Sequence, residues 1–175
     1  MPPPVEAAAA FGISYREMTS DDMPFVAALY ATTRSRELEP SGWPDEMKAA
    51  FCDQQHRVQH AQYRATYKTA EWLIVERDGV PVGRYYLDWN DADGLLMIDL
   101  SLMPDQRGAG VGGAIFRDTI AAARAAGRPV TLHVDRFNPA VALYLRLGFR
   151  IVEEMPFHLR MVWRAEDVPS HLSRP

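Results

Sequence analysis

Residues 105–116, DQRGAGVGGAIF, hold four glycines within six positions and decide how the rest of the chain is interpreted. From Gly108 the stretch matches G-x-G-x-x-G, the pattern of dinucleotide-binding turns. From Arg107 it also matches a second glycine pattern, R-x-x-G-x-G. Both patterns place backbone N–H groups at a helix N-terminus, where they bind a pyrophosphate. The flanking sequence therefore has to show which cofactor this loop holds.

The segments around the loop predict a mixed α/β domain. Residues 13–17 are typical of a short strand, and two helical segments follow. Asp78 followed by Gly79 between apolar runs is a strong hairpin signal, so residues 71–103 are interpreted as three antiparallel strands. After the loop come a helix, a buried strand, another helix and a final pair of strands. The predicted order is β-α-α-β-β-β-α-β-α-β-β.

These elements fit a dinucleotide fold poorly. The glycine turn begins four residues after the preceding strand ends, whereas the dinucleotide fingerprint follows its strand directly. The strands before the turn are joined by hairpins, so they do not form a βαβ unit. Asp135 ends the next strand where a ribose-binding acid would lie, but only 40 residues follow it, too few for the remaining strands.

Two motifs in sequence order favour a different cofactor. The stretch LSLMPDQRGAGVGGAIFRDTI (residues 100–120), followed by VTLHVDRFNPAVALYLRLGF (residues 130–149), resembles the GNAT superfamily of acetyl-CoA-dependent N-acetyltransferases. The resemblance implies a GNAT-type mixed, mostly antiparallel central sheet flanked by helices. It also implies acetyl-CoA as the cofactor and direct attack by an amine acceptor in a ternary complex.

The resemblance assigns coenzyme contacts to particular positions. In the family, the strand before the loop separates from its neighbour, and its backbone pairs with the pantetheine arm. Carried onto this chain, the Leu102 N–H lies near the acetyl carbonyl, where it would stabilise the developing oxyanion. The implied cofactor-binding residues are Leu102, Met103, Arg107, Gly108, Ala109, Gly110, Val111, Gly112, Gly113, Asn138 and Tyr144.

Two of these assignments have structural alternatives. Tyr144 matches the family's tyrosine, which protonates the departing thiolate, and a phenol with a pKa of roughly 10 is a sensible donor to a thiolate. Core packing would also explain a tyrosine at this helix end. Asn138 precedes Tyr144 by six residues, whereas the commoner family spacing is seven, and helix N-capping explains it equally well.

Asp99 is the candidate general base. In LLMIDLSLM, Asp99 and Ser101 share one face of a strand whose even-numbered positions are all apolar. Several family members keep their base at such a place, where a carboxylate takes the amine proton directly or through water. A surface-facing or ion-paired Asp99 is an equally good interpretation.

The acceptor site of the family is built largely from its first two helices and their connection. Here the resemblance assigns acceptor contacts to Arg34, Trp43, Gln55 and Gln59. Gln55 and Gln59 lie four residues apart on the second helix, so they form a polar stripe that either lines a pocket or faces water. The acceptor is an amine of a small molecule, a peptide or a protein. Dimers are frequent in the family, which leaves a homodimer open.

Composition excludes several other partners. The net charge is −4 and basic residues form no run, so nucleic acid is not an expected ligand. No stretch reaches the roughly 18–20 apolar residues of a membrane span, and the leader lacks the pattern of a secretion signal, so a cytoplasmic protein is expected. His56 and His60 lie four residues apart without a convincing third ligand, so no metal is expected.

The expected organisation is a mobile N-terminal tail over residues 1–11, one GNAT domain over residues 12–164 and a C-terminal tail over residues 165–175. Two alternative functions remain open. A non-catalytic acyl-CoA-binding or sensor protein would keep the glycine loop without needing Tyr144. A nicotinamide oxidoreductase would need Asp135 for the ribose.

Overall fold

The structure, a computed structural model, describes residues 3–167 apart from the side chain of Arg36. In chain order its helices and strands are β1 Ile13–Glu17, α1 Met23–Leu38, α2 Asp45–Thr66, β2 Glu71–Arg77, β3 Val80–Asp88, β4 Leu95–Leu102, α3 Val111–Ala125, β5 Val130–Asp135, α4 Ala140–Arg146, β6 Arg150–Glu154 and β7 His158–Trp163. This order confirms the predicted one. The last eight residues of the predicted C-terminal tail, 168–175, lie outside the described residues.

One seven-stranded sheet runs through the molecule in the order β1-β2-β3-β4-β5-β7-β6. Within residues 3–167 its only parallel pair is β4 with β5, and the other neighbouring pairs are antiparallel. The hairpin between β2 and β3 turns at Asp78 and Gly79, which have φ angles of 52° and 79°. Two left-handed central residues are what a type I′ turn requires, and this confirms the predicted hairpin.

The parallel pair is short because β4 contains a bulge. Tyr86 of β3 lies opposite Asp99, but the next residue, Leu87, lies opposite Met97, so Ile98 is an extra residue in β4. The pairing of β4 with β5 covers Leu95 to Met97 and stops there. Beyond the bulge, β4 continues to Leu102 without pairing to β5, and we call this unpaired gap between the two strands the cleft.

The two faces of the sheet differ in chemistry. One face packs against α3 in an apolar core built from side chains such as Tyr85, Ile115 and Phe116. The other face lies under α1 and α2 and carries polar groups, among them Arg84, which is 2% exposed, and Asp99. Polar groups buried there must find partners within the protein, so this face is where reactive side chains can be held.

The chain before β1 lies against α3. The carboxylate of Asp118, a buried residue of α3, accepts hydrogen bonds from the N–H groups of Glu6, Ala7 and Ala8 at 3.2, 2.7 and 2.9 Å. The expected boundary between tail and domain at residue 11 stays a prediction, but residues 6–8 are bonded to the domain. Within residues 3–167, no helix has the length and apolar character needed to cross a bilayer.

Candidate active site

The cleft between β4 and β5 has a free backbone edge. The Met103 N–H donates to the Val82 carbonyl at 2.8 Å, and Gly83 lies opposite Leu102. Because hydrogen-bonding direction alternates along an antiparallel ladder, the N–H and C=O of Leu102 point away from β3 and into the cleft. The Met103 carbonyl accepts from the Gln106 N–H at 3.0 Å, so both main-chain groups of Met103 are used inside the protein. Only its side chain is free for the predicted coenzyme contact.

The glycine loop lies at the mouth of this cleft. Gly108 and Gly110 have φ angles of 76° and 91°, a left-handed conformation that residues with a Cβ rarely adopt. Gly110 is the N-cap of α3, and its carbonyl accepts the first helical hydrogen bond, from Ala114 at 3.0 Å. A Cβ on Gly110 would also lie 3.4 Å from the Phe11 ring.

This loop presents a run of open N–H groups. In the described part of the chain, the N–H groups of residues 108–110 have no hydrogen-bond acceptor. Those of residues 111–113 belong to the first turn of α3, where an α-helix offers no internal acceptor. Arg107 differs, because its N–H donates to the Pro104 carbonyl at 3.2 Å. The loop and the positive end of α3 can therefore hold a pyrophosphate, without the Arg107 amide.

The Arg107 side chain turns back across the end of β4. Its Nε donates to the Leu102 carbonyl at 2.7 Å, and its Nη2 donates to Oγ1 of Thr32 in α1 at 2.6 Å. The Arg107 side chain therefore ties β4 to α1 beside the cleft.

Asp99 lies in a hydrogen-bonded network on the polar face of the sheet. Its carboxylate accepts from Arg84 Nε and Nη2 at 3.3 and 2.8 Å, and from Ser101 Oγ at 2.7 Å. Arg84 Nη2 also donates to Oε1 of Gln59 at 3.1 Å. The ion-paired interpretation of Asp99 is therefore confirmed as a matter of geometry. Its role as a base stays a prediction.

Tyr144 packs beside α3 and is influenced by the charge of Asp99. Its ring lies 4.9 Å from that of Phe116 and 5.9 Å from that of Phe149, centroid to centroid. Burial, and secondly the negative charge of Asp99, raise the pKa of the phenol to about 12. In the described part of the chain the hydroxyl makes no hydrogen bond. The side chain thus both packs in the core and carries a free, protonated hydroxyl.

Asn138 has a structural partner. Its Oδ1 accepts from the Ala140 N–H at 2.9 Å in a turn just before α4, whose N-cap residue is Pro139. The alternative of N-capping by Asn138 is therefore wrong by one residue, although Asn138 does bond to the first residue of this helix. Contact with a coenzyme stays a prediction.

The residues predicted to bind the acceptor do not form one group. Gln59 contacts Arg84 and so belongs to the Asp99 network. Arg34 forms an ion pair with Glu37 in the next turn of α1 at 3.0 Å. Trp43 is 38% exposed and packs edge-on against Phe51, with 5.5 Å between ring centroids. Gln55 is half-buried on α2. Gln59 is thus the predicted acceptor residue that the structure brings to Asp99.

Arg84 belongs to the Asp99 network and His56 lies within electrostatic reach of it, and the sequence indicated neither placement. His56 is 1% exposed, and in the described part of the chain neither ring nitrogen has a hydrogen-bond partner. Burial, with the charge of Arg84 as the next cause, lowers the pKa of His56 to about 4, so the imidazole is neutral at pH 7. An arginine within the apolar β3 segment was the available signal for Arg84.

Comparison with known proteins identifies relatives of this chain. A sequence model of the acetyltransferase (GNAT) family matches residues 27–149. A mycothiol acetyltransferase of Actinosynnema mirum is 34% identical over 113 residues, which are 63% of this chain and 38% of that protein. The chain thus spans well under half the length of this curated relative.

Solved structures show the same fold. A PaiA N-acetyltransferase of Thermoplasma acidophilum, crystallised with coenzyme A, superposes with a TM-score of 0.63 at 14% identity, over 87% of this chain and 98% of the other. An acetyltransferase of Thermus thermophilus superposes with a TM-score of 0.60 at 19% identity, over 86% and 94%. At these identities the likeness establishes the arrangement of helices and strands.

Proposed function

Because the chain belongs to the acetyltransferase (GNAT) family, we propose that it transfers the acetyl group of acetyl-CoA to an amine acceptor. The observation that carries the proposal is the cleft between β4 and β5, with the open N–H groups of the glycine loop at its mouth. Such a cleft fits an extended thioester whose diphosphate lies on the loop. Acetyl-CoA supplies the activated acyl group.

We propose that backbone groups make most of the contacts to the coenzyme. The N–H groups of residues 108–113 hold the diphosphate, and the Leu102 N–H donates to the thioester carbonyl oxygen as that oxygen gains negative charge. A donor fixed in this way needs no rearrangement during the reaction. The Leu102 carbonyl also faces the cleft, but Arg107 Nε already donates to it at 2.7 Å.

Side chains carry out the proton transfers. We infer that the amine nitrogen attacks the carbonyl carbon, that Asp99 takes the amine proton directly or through water, and that Tyr144 gives its hydroxyl proton to the departing thiolate sulfur. The products are the acetamide and the free thiol of coenzyme A. When Asp99 gains a proton its charge disappears, and with it one of the two causes that raise the pKa of Tyr144. Proton uptake by Asp99 therefore makes Tyr144 more acidic as the thiolate leaves.

The acceptor enters from the side of α1 and α2 in this proposal. Gln59 is placed to contact it because it already bonds Arg84 beside Asp99, and Gln55 lies one turn earlier on α2. Arg34 and Trp43 would contact only the more distant parts of an acceptor. The expected acceptor is a primary amine on a small molecule or at the end of a peptide.

A panel of amines tests this proposal. Purified protein is incubated with acetyl-CoA and single small primary amines, amino acids or short peptides, and released thiol and acetylated amine are measured together. We expect equimolar amide and thiol for at least one amine, with intersecting lines in double-reciprocal plots because no acyl-enzyme forms. Coenzyme binding without thiol release across the panel would instead support a non-catalytic acyl-CoA-binding protein. Parallel lines would contradict direct transfer.

A further inference from the structure

The chain before β1 lies along α3 and reaches the glycine loop. We call residues 3–12 the N-terminal segment. The N–H groups of residues 6–8 bond to the carboxylate of Asp118, which is 3% exposed on α3. Ala8 is fully buried and belongs to the apolar core, and the Phe11 ring packs against that core. The N-terminal segment is therefore part of the folded domain.

Phe11 is the residue of this segment that contacts the loop. A Cβ placed on Gly110 would lie 3.4 Å from Cζ and 3.7 Å from Cε1 of the Phe11 ring, so the ring lies directly against this glycine. Gly110 is the N-cap of α3 and has a left-handed conformation. Asp118 follows eight residues later on the same helix, a rise of about 12 Å. The N-terminal segment thus contacts α3 at two places, at the loop and about two turns further on.

Backbone hydrogen bonds join these two contacts. The Phe11 N–H donates to the Ala8 carbonyl at 2.9 Å, and the Ala8 N–H donates to the Asp118 carboxylate at 2.9 Å. On the other side of Phe11, the Gly12 carbonyl accepts from the Asp78 N–H in the β2–β3 hairpin at 2.9 Å. Phe11 is therefore held on both sides, and its position depends on Asp118.

The glycine loop has little means of holding its own shape. Glycine has no side chain to pack and more conformational freedom than any other residue. Within residues 3–167 the N–H groups of residues 108–110 have no acceptor, so no hydrogen bond from these donors fixes the loop. A ring against Gly110 removes part of this freedom before a ligand binds. Such preorganisation lowers the ordering cost of binding and so raises affinity.

We propose that Phe11 is a positioning residue for the diphosphate of the coenzyme. Its ring, held in place through Asp118, keeps the glycine loop in the conformation that presents the open N–H groups. This inference rests on the proposed assignment of the diphosphate to the loop. The Phe11 side chain has no polar group and acts through Gly110, so it affects coenzyme binding and not the proton transfers at Asp99 and Tyr144.

Two ligands distinguish this positioning role from a purely structural one. Coenzyme A carries the diphosphate, whereas S-acetylpantetheine keeps the thioester arm and lacks the diphosphate. Dissociation constants for the full chain are measured by isothermal titration calorimetry for coenzyme A and by NMR titration for S-acetylpantetheine. Phe11→Ala should raise the dissociation constant of coenzyme A by about 10-fold and that of S-acetylpantetheine by less than about 2-fold. A general loosening of the fold would weaken both.

Phe51→Ala is the matched control. Phe51 is half-buried like Phe11, but it lies in α2 and packs against Trp43. Its truncation should leave both dissociation constants unchanged within about 2-fold. Circular dichroism spectra establish that each variant is folded.

A double-mutant cycle tests the connection through Asp118. Asp118→Asn replaces an oxygen that accepts N–H groups with an NH₂ donor, so we expect it to release the segment and weaken coenzyme A binding by about 5- to 10-fold. Combined with Phe11→Ala, it should weaken binding by no more than about 2-fold beyond the stronger single effect, because both substitutions free the same loop. Losses that multiply would contradict the connection. If Asp118→Asn does not fold, Phe11→Ala alone decides the role of the ring.

The outcomes separate this inference from the proposals on which it rests. Unchanged coenzyme A affinity in Phe11→Ala, or an equal loss for both ligands, overturns the positioning role. A wild type that binds S-acetylpantetheine as tightly as coenzyme A overturns the assignment of the diphosphate to the loop, and the inference with it. Failure of the amine panel would count against acetyl transfer and would not change these dissociation constants.

Discussion

The proposed coenzyme side and the proposed acceptor side of the candidate active site are built from different kinds of groups. On the coenzyme side, the groups that face the cleft are backbone N–H and C=O groups from Leu102 and the glycine loop. On the acceptor side, side chains bind one another, with buried Arg84 joining Asp99 and Gln59. Backbone geometry tolerates exchange of side chains as long as the φ angles survive, whereas a side-chain network fails when one member changes. Substitutions on the two sides should therefore behave differently.

Gly110→Val should have the largest effect. The substitution puts a β-branched side chain at a φ of 91° and against the Phe11 ring, so the loop has to change shape. We expect the affinity for coenzyme A to fall by more than about 100-fold, measured by isothermal titration calorimetry. Gly42→Val is a control for a strained glycine elsewhere, since Gly42 has a φ of 67° with open space around it. Equal coenzyme affinity in both variants would show that the loop does not hold the diphosphate.

Asp99→Asn should impair both activity and stability. It removes the proposed base, which lowers kcat by about 10²- to 10⁴-fold. It also leaves the buried Arg84 guanidinium without its counter-charge, at a cost of about 3–5 kcal/mol in the free energy of unfolding. The double variant Arg84→Met with Asp99→Asn should regain stability without regaining activity. Recovery of activity in the double variant would mean that Asp99 only balances Arg84 and is not the base.

Tyr144→Phe should lower kcat by about 10- to 10³-fold and leave the affinity for coenzyme A nearly unchanged. The ring packing against Phe116 is preserved, and only the hydroxyl is lost. Because the pKa of Tyr144 is raised to about 12, the wild-type rate should show no loss of this acid up to about pH 11. Steady-state kinetics at saturating acetyl-CoA across pH 6–11 measure the loss of kcat and its pH dependence. An unchanged kcat in the variant would limit Tyr144 to packing.

His56 should make the acceptor side sensitive to acid. Its pKa is about 4 in the folded chain and about 6.5 when unfolded, so the unfolded state binds more protons between these values. The free energy of unfolding should therefore fall as pH drops from about 6.5 to 4, by up to about 3 kcal/mol. Urea titrations of the wild type, His56→Leu and the exposed-site control His158→Gln measure this. An equal pH dependence in wild type and His56→Leu would contradict the assignment.

Leu102→Met should have the smallest effect. If only the main-chain N–H of residue 102 acts on the thioester, a side chain of similar volume should change kcat by less than about 3-fold and stability by less than about 1.5 kcal/mol. Initial rates and thermal melts of the variant measure both. A loss of activity comparable to that of Tyr144→Phe would show that the coenzyme side also depends on side-chain shape.

The sequence could predict those features that depend on local backbone conformation. The left-handed glycines of the loop and the Asp78-Gly79 hairpin are local features, since one residue type permits the conformation that each needs. Both were visible in the sequence, as was the order of strands and helices. The placement of Asp99 and Ser101 on one strand face followed from alternation and is seen in their 2.7 Å hydrogen bond.

Features that depend on the register between strands could not be predicted from the sequence. In the sequence, Ile98 looks like any other apolar strand residue. In the structure it forms the bulge at which the pairing of β4 with β5 ends. The Arg84–Asp99 pair required knowing which residues of β3 and β4 lie opposite each other, because the bulge shifts that register by one. The bonds from residues 6–8 to Asp118 join positions 110 or more residues apart, and no local pattern encodes such a contact.

Coenzyme selectivity tests the central claim most directly. Thermal melts of the purified chain are recorded with acetyl-CoA, coenzyme A, NAD or NADP. At about 100 times its dissociation constant a ligand adds about 2.7 kcal/mol of stability, which raises the Tm of a chain of this size by roughly 5–11 °C. We predict such a shift with acetyl-CoA and coenzyme A and none with the nicotinamide dinucleotides. A shift with NAD or NADP alone would mean that the glycine loop holds a dinucleotide, and it would contradict the proposed reaction.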